Sequence, residues 1–220
     1  MSFAALPHNY LTWDPVTTPL TEFIRYNVLR RENGQTSWTR LKVITDRTLT
    51  FYQDCTAESD TLYEYAVTQT KMVGTEELDS NVPTPVTAQL TITSFFLHDT
   101  AAPENYVELK ARALQVAPDQ EVQYVLPWGR RRPTAHIGNK NTSALSFDVY
   151  RSWQDELEEA WEALTNLQQR QRDNGAVICA RQQLGVRFFT QIEKIGRDHR
   201  VGQLTRVSVQ LREVNYDEEV

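Results

Sequence analysis

At 220 residues, with 40% apolar residues and a formal net charge of −6, the chain has material for one large core or two small ones. The acidic balance and a pI near 5.3 argue against a dedicated nucleic-acid binder, which carries a basic footprint. Met1 to Tyr10 has neither the basic region nor the apolar run of an export signal, and no stretch approaches the ~18 apolar residues of a membrane span, so the expectation is a protein made in a cytoplasm and not inserted in a membrane.

Nine Tyr, eight Phe and five Trp favour β-structure, where large rings suit a half-buried sheet. Leu11 and Trp13 alternate before Asp14-Pro15 and read as a strand ending at a turn. Phe23 to Arg31 alternates again, with Ile24, Tyr26 and Val28 on one face and the charges Arg30, Arg31, Glu32 and Arg40 read as a solvated face. Asn33-Gly34 is a hairpin signal, and Trp38 to Ile44 is the return strand. Leu49 to Tyr52 and Leu62 to Thr70 are further strands. Lys71 to Pro85 reads as a loop or final strand merging into a linker, which sets a domain boundary at residue 85.

In the second stretch, 86–220, Val86 to Leu97, Tyr106 to Ala113 and Val122 to Trp128 read as strands. Gly129 to Asn141 is a basic loop. Ala144 to Tyr150 points Leu145, Phe147 and Val149 inward. A helix over 152–174 follows: Trp153, Leu157, Trp161, Leu164 and Leu167 recur at helical spacing, and Glu158, Glu159, Glu162 and Gln169 take the other face. Asn174-Gly175 is its stop, and a stripe of this kind must lie on a sheet. Ala176 to Ala180, Val186 to Ile195 and Leu204 to Val214 are strands, with turns at Gln182 to Gly185 and Arg197 to Gly202. The expected fold class is mainly β, a β-sandwich followed by a β-sandwich or split barrel with one long packed α-helix.

No catalytic, metal or cofactor constellation emerges. His8, His98, His136 and His199 are scattered in predicted turns, none at metal-ligand spacing. No Gly-rich phosphate loop occurs, and Cys55 and Cys179 read as buried free thiols. The expectation is a protein that is not an enzyme and needs no cofactor. One charge cluster stands out, Arg130, Arg131 and Arg132. It reads first as a solvated loop. The alternatives are an ion-pair contact to the acidic end Asp217, Glu218 and Glu219 of a neighbouring copy, or a lumen facing passing DNA, which a smooth conduit disfavours.

Two resemblances carry the reading further. LTWDP, FIRYNVLRR, WTRLKVI, Phe51-Tyr52-Gln53-Asp54 and TLYEYAVTQ, in that order, resemble a fibronectin type III domain, which makes 1–85 a β-sandwich module with Trp13 as its core tryptophan and Tyr63 as its corner tyrosine. Over Val86 to Glu219, GRRRPTAHIG then ALSFDVY, the Trp/Leu helix, LGVRFFTQI and TRVSVQLREVNYDEE resemble the distal tail protein class of long-tailed bacteriophages and its tail-tube relatives. There the accessory domain follows or interrupts the ring domain, whereas here a fibronectin-like module precedes it. The resemblance implies a virion protein of the tail tip or baseplate that forms a ring of six copies and contacts other tail and baseplate proteins. It would assemble in the host cytoplasm, with no specific nucleic-acid binding. The fibronectin-like domain could alternatively serve as a host-surface adhesion or tail-decorating module.

Overall fold

Alternating apolar residues make strands, and most of this chain alternates. The computed structural model describes residues 5–109, 111–125, 134–149, 154–183, 185–200 and 203–216. It is mainly β, with fourteen strands and one helix among those residues, in agreement with the expected class. The chain folds as two compact units, Met1–Ser94 with Arg181–Arg187 and Tyr216–Val220, and Phe95–Ala180 with Phe188–Asn215.

In the first unit, β1 (Asn9–Thr12) pairs antiparallel with β4 (Phe51–Asp54) as a two-stranded sheet. The larger sheet has the order β3 (Thr39–Ile44), β2 (Phe23–Glu32), β5 (Tyr63–Val73), β6 (Glu76–Asp79), with β7 (Val86–Ala88) also on β5. Leu11 and Tyr52 of the small sheet pack against Tyr26, Val28 and Ile44, and again against Leu41, Tyr63 and Tyr65. These two layers share an apolar filling. Trp13 lies just past β1 and is only half-buried, its ring edge-on to Tyr26 at 5.5 Å. Tyr26, at 1% exposure, is the centre of this core.

In the second unit, seven strands follow the order β10 (Ala111–Val125), β11 (Thr134–Val149), β14 (Gln203–Glu213), β13 (Arg187–Arg200), β12 (Ile178–Arg181), β8 (Phe95–Asp99), β9 (Tyr106–Leu109). The two ends of this order, β9 and β10, are separated in sequence by residue 110 alone. Consecutive residues advance the chain by no more than about 3.8 Å, so the sheet has to roll round until its ends meet. A rolled sheet needs a filling, and α1 (Gln154–Asn174) contributes to it. Leu157, Ala160, Leu164 and Leu167 are all buried and join Phe95, Leu109, Leu145, Phe147, Val149, Ile192, Val207, Val209 and Leu211 in one core. Trp161 packs at the margin with Arg197 over its ring, 5.0 Å from the centroid. Gly175 ends the helix at φ 67°, its N–H donating to Gln171 O, the left-handed cap that glycine adopts without steric cost.

Several boundaries differ from the sequence reading. Val86 to Leu97 is two strands, because the stretch between is tied elsewhere: Asp60 N–H donates to Leu90 O (2.8 Å) and Ile92 N–H to Ser59 Oγ (2.9 Å). Tyr106 to Ala113 is likewise divided between the two ends of the rolled sheet. Thr134 to Asn141, expected as loop, is strand, as are Arg197 to Arg200. In each case the partner strand supplies the order; the residues have no apolar alternation of their own. Lys71 to Pro85, read as a loop or final strand, does contain a strand: Gly74 at φ 67° turns β5 back into the acidic β6.

Candidate functional site

The Arg130, Arg131 and Arg132 loop and the Asp217, Glu218 and Glu219 tail lie outside the described residues. What the structure does place is the platform from which the loop departs. Among the described residues β11 pairs with β14 from Ala144↔Arg212 to Val149↔Val207. Its pairing with β10 continues outward from Pro118↔Ser143 to Val125↔Thr134. Beyond the sheet, therefore, 118–125 and 134–143 form a two-stranded ribbon, roughly 27 Å long at the rise of an extended strand. Pro118 sits where the ribbon leaves the sheet. Proline lacks the ladder donor and is tolerated where a strand has an unpaired side, as β10 has along the ribbon, where β11 is its partner among the described residues. At the opposite end of β14, β13 and β14 pair on as far as Arg200↔Gln203. One sheet thus sends hairpins out at both ends.

The exposed face of this sheet is polar. Arg206 reaches Asp198 at 2.9 Å and Arg212 reaches Glu193 at 2.7 Å. Exposed pairs of this kind add little stability and leave a hydrophilic surface.

The first unit holds the densest buried polar network. Asp54 ends β4 with no solvent exposure. Its Oδ2 accepts from Arg30 Nη1 at 2.8 Å and from the Tyr65 hydroxyl at 2.7 Å. Its Oδ1 accepts from the Thr56 N–H and hydroxyl, both at 2.9 Å. Asn9 Nδ2 donates to the Tyr65 oxygen at 2.9 Å, and the Arg30 guanidinium lies over the Tyr63 ring at 4.7 Å. Burial pushes the Asp54 carboxyl up, but the Arg30 charge and the hydrogen bonds from Tyr65, Arg30 and Thr56 outweigh it and hold the group below the usual carboxylate range. Burial, and then the Asp54 charge, raise the Tyr65 hydroxyl. With both oxygens engaged and no water access, Asp54 acts as a brace, not as a proton acceptor for a substrate. The reading of Arg30 as a solvated face is thereby corrected: it is 3% exposed, because Asp54 on the facing sheet neutralises it.

A segment from far along the chain completes this cluster. Arg181 is fully buried and donates from Nη1 to Ala57 O (3.0 Å) and from Nη2 to Pro7 O (2.7 Å). Arg187 donates to Thr56 O at 3.0 Å and pairs with Glu58 at 3.3 Å. A cavity of about 250 Å³ opens beside Arg30, Arg31, Tyr63 and Arg187. These arginines are engaged by Asp54, Glu64 and Glu58, so the cavity carries no spare positive charge for an anion. Between Arg181 and Arg187, Gly185 takes φ 69°, and a Cβ there would stand 3.1 Å from Ser59 O. Gly185→Ala is expected to lose about 1–2 kcal/mol, read as a lowered Tm by calorimetry. An unchanged Tm would mean that the backbone relaxes freely at this turn.

Sequence reasoning missed Asn9, Asp54, Tyr65, Arg181 and Arg187. An acid ending a strand looks like a turn, and nothing local ties Arg181 to Pro7. His98, expected in a turn, is buried on β8, its Nδ1 3.2 Å from Asp99 O; His136 and His199 also fall in strands. Cys55 and Cys179 are buried free thiols. Among the described residues no cluster of His, Cys, Asp or Glu could hold a metal, and no helix is long and apolar enough to cross a membrane.

No family model and no curated protein matches the chain. Among solved structures, a chain from the tail of an empty GTA particle, computed with helical refinement in C6 symmetry, is similar over 56% of this chain and 92% of that one, at 10% identity and a TM-score of 0.34. A likeness of that size is too slight to define a shared fold.

Proposed function

We propose that the chain is a non-catalytic structural subunit of a phage tail tip or baseplate, its second unit closing a ring of six copies on the tail axis and joining the tube to baseplate proteins. The observation that carries this reading is the long β10–β11 ribbon. A lone two-stranded ribbon is marginally stable in water, so a length of this kind gains order by lying on a neighbour. A ring also needs two different patches on each subunit. Hairpins leaving opposite ends of one sheet supply two such patches. The element order from Val86 to Glu219, with its likeness to distal tail proteins, points the same way. In this reading the protein resides in the virion tail, and Arg130 to Arg132 pair with the acidic end Asp217 to Glu219 of the next copy.

Native mass spectrometry across a concentration series tests it. The full chain is expected to populate a closed oligomer of six, or of three as a half-assembled form. A variant with residues 119–142 replaced by a short Gly-Ser turn is expected to remain monomeric while still unfolding in a cooperative thermal transition, its circular dichroism losing only the strand signal of the removed ribbon. A full-length chain that stays monomeric at every concentration would argue instead for a host-surface adhesion or tail-decorating module. One observation favours that second reading: Tyr10 and Phe51 stack at 6.0 Å while 57% and 44% exposed, an aromatic face of the kind that receives a sugar ring.

A further inference from the structure

The edges of the first unit are defended unequally. β6 carries Glu76, Glu77 and Asp79 and is exposed throughout, the usual protection of an edge against pairing. β1, with sequence NYLT, has no charge, no proline and no bulge. Among the described residues it pairs on one side only, with β4. Trp13 N–H donates to Thr50 O at 3.1 Å, and the register is Asn9↔Asp54 and Leu11↔Tyr52. Antiparallel alternation then turns the N–H and C=O of Tyr10 and Thr12 away from β4. Along this open side runs a cavity of about 310 Å³ whose lining includes Tyr10, Leu11, Trp13, Tyr65, Pro83 and Val86. None of its lining residues is charged, although 24% of the chain is. Val86, 67% exposed, stands at its mouth.

We infer that the β1 edge receives an added β-strand: an extended, uncharged segment of another polypeptide, about four or five residues long, with apolar residues at alternate positions. Two donors and two acceptors from Tyr10 and Thr12, spaced as in a strand, match an extended backbone and no repeating feature of a lipid or a sugar. The groove beside them then takes every second side chain of the incoming strand. This inference stands apart from the ring, whose proposed contacts, the β10–β11 ribbon and the acidic end, do not involve β1.

Amide hydrogen exchange by NMR on the full-length protein provides the test. The probe is the peptide acetyl-Gly-Thr-Val-Thr-Val-Thr-Gly-Lys-Lys-amide, and the control is the same peptide N-methylated at each Val and Thr. Saturating probe is expected to slow exchange at Tyr10 and Thr12 at least tenfold, with Leu11 unchanged. The N-methylated control should leave both amides untouched. Val86→Asp, whose side chain is exposed and lines the cavity, should weaken probe binding tenfold or more while leaving the thermal unfolding transition in place. Three results would each overturn the inference: no slowing at any soluble peptide concentration, equal binding of the control, or Tyr10 and Thr12 already protected in the free protein because the chain covers its own edge.

Discussion

Arg30→Ala is expected to destabilise the first unit by about 3–5 kcal/mol, the cost of leaving one member of a buried ion pair without its partner. The side chains of Arg30 and Asp54 are only 4% and 0% exposed, so water cannot replace what the mutation removes. Asp54→Asn should fall in the same range, because it removes the charge that neutralises Arg30 and sets an amide nitrogen against donors whichever way it turns, Arg30 and Tyr65 on one side or the Thr56 N–H on the other. The double variant Arg30→Met with Asp54→Leu should be far less costly than either single change, since it removes both charges and keeps the volume. Urea unfolding of the four proteins gives the comparison, and a single-variant loss under about 1 kcal/mol would show that the pair is not desolvated. The pH dependence has a definite sign. Asp54 sits below its unfolded pKa of about 3.9. Its contribution is therefore complete above that value and is lost as pH falls through the lower, folded one. The double variant should lack this part of the acid limb.

Leu164→Ala is the second large effect, expected at about 2.7–5 kcal/mol. Leu164 has no exposed surface and lies on the stripe of α1 that fills the rolled sheet. The better helix propensity of alanine returns only a few tenths of a kcal/mol. Hydrogen exchange at the β14 amides should quicken by about two orders of magnitude or more, while the β2 and β5 amides stay as they were. A uniform change in both units would contradict the division into two cores.

The helix shows where the sequence was most legible. Leu157, Leu164 and Leu167 repeat at a period no strand shares, Gly175 closes the run, and all three leucines are buried, with Trp161 half-buried at the margin and Trp153 outside the described residues. Val207, Val209 and Leu211 were legible for the same reason, at the period of a strand. The ribbon was not. Thr134 to Asn141 is polar and contains Gly138, and only its pairing across to β10 makes it strand, a partner between nine and twenty-one residues away along the chain. The buried cluster was the least visible part. Arg30 reads as a surface charge until Asp54 is brought to it from the facing sheet, and Arg181 reads as an ordinary strand end until its guanidinium is found holding the carbonyls of Pro7 and Ala57. Periodicity reports which face is dry; it does not report which polar residue will be drawn into that face by a partner distant in sequence.

The re-entry of Arg181 to Arg187 into the first unit has a consequence for how the chain comes off the ribosome. Ser94 emerges while the segment that satisfies Ala57 O, Thr56 O and Pro7 O has still to be made, roughly ninety residues and, at 5–20 residues per second, about 5–20 s later. Until then the nascent first unit waits with those carbonyls lacking their arginines. It cannot be lifted out as a self-sufficient cassette, and a gene fusion that keeps only the first 94 residues would inherit that deficit permanently.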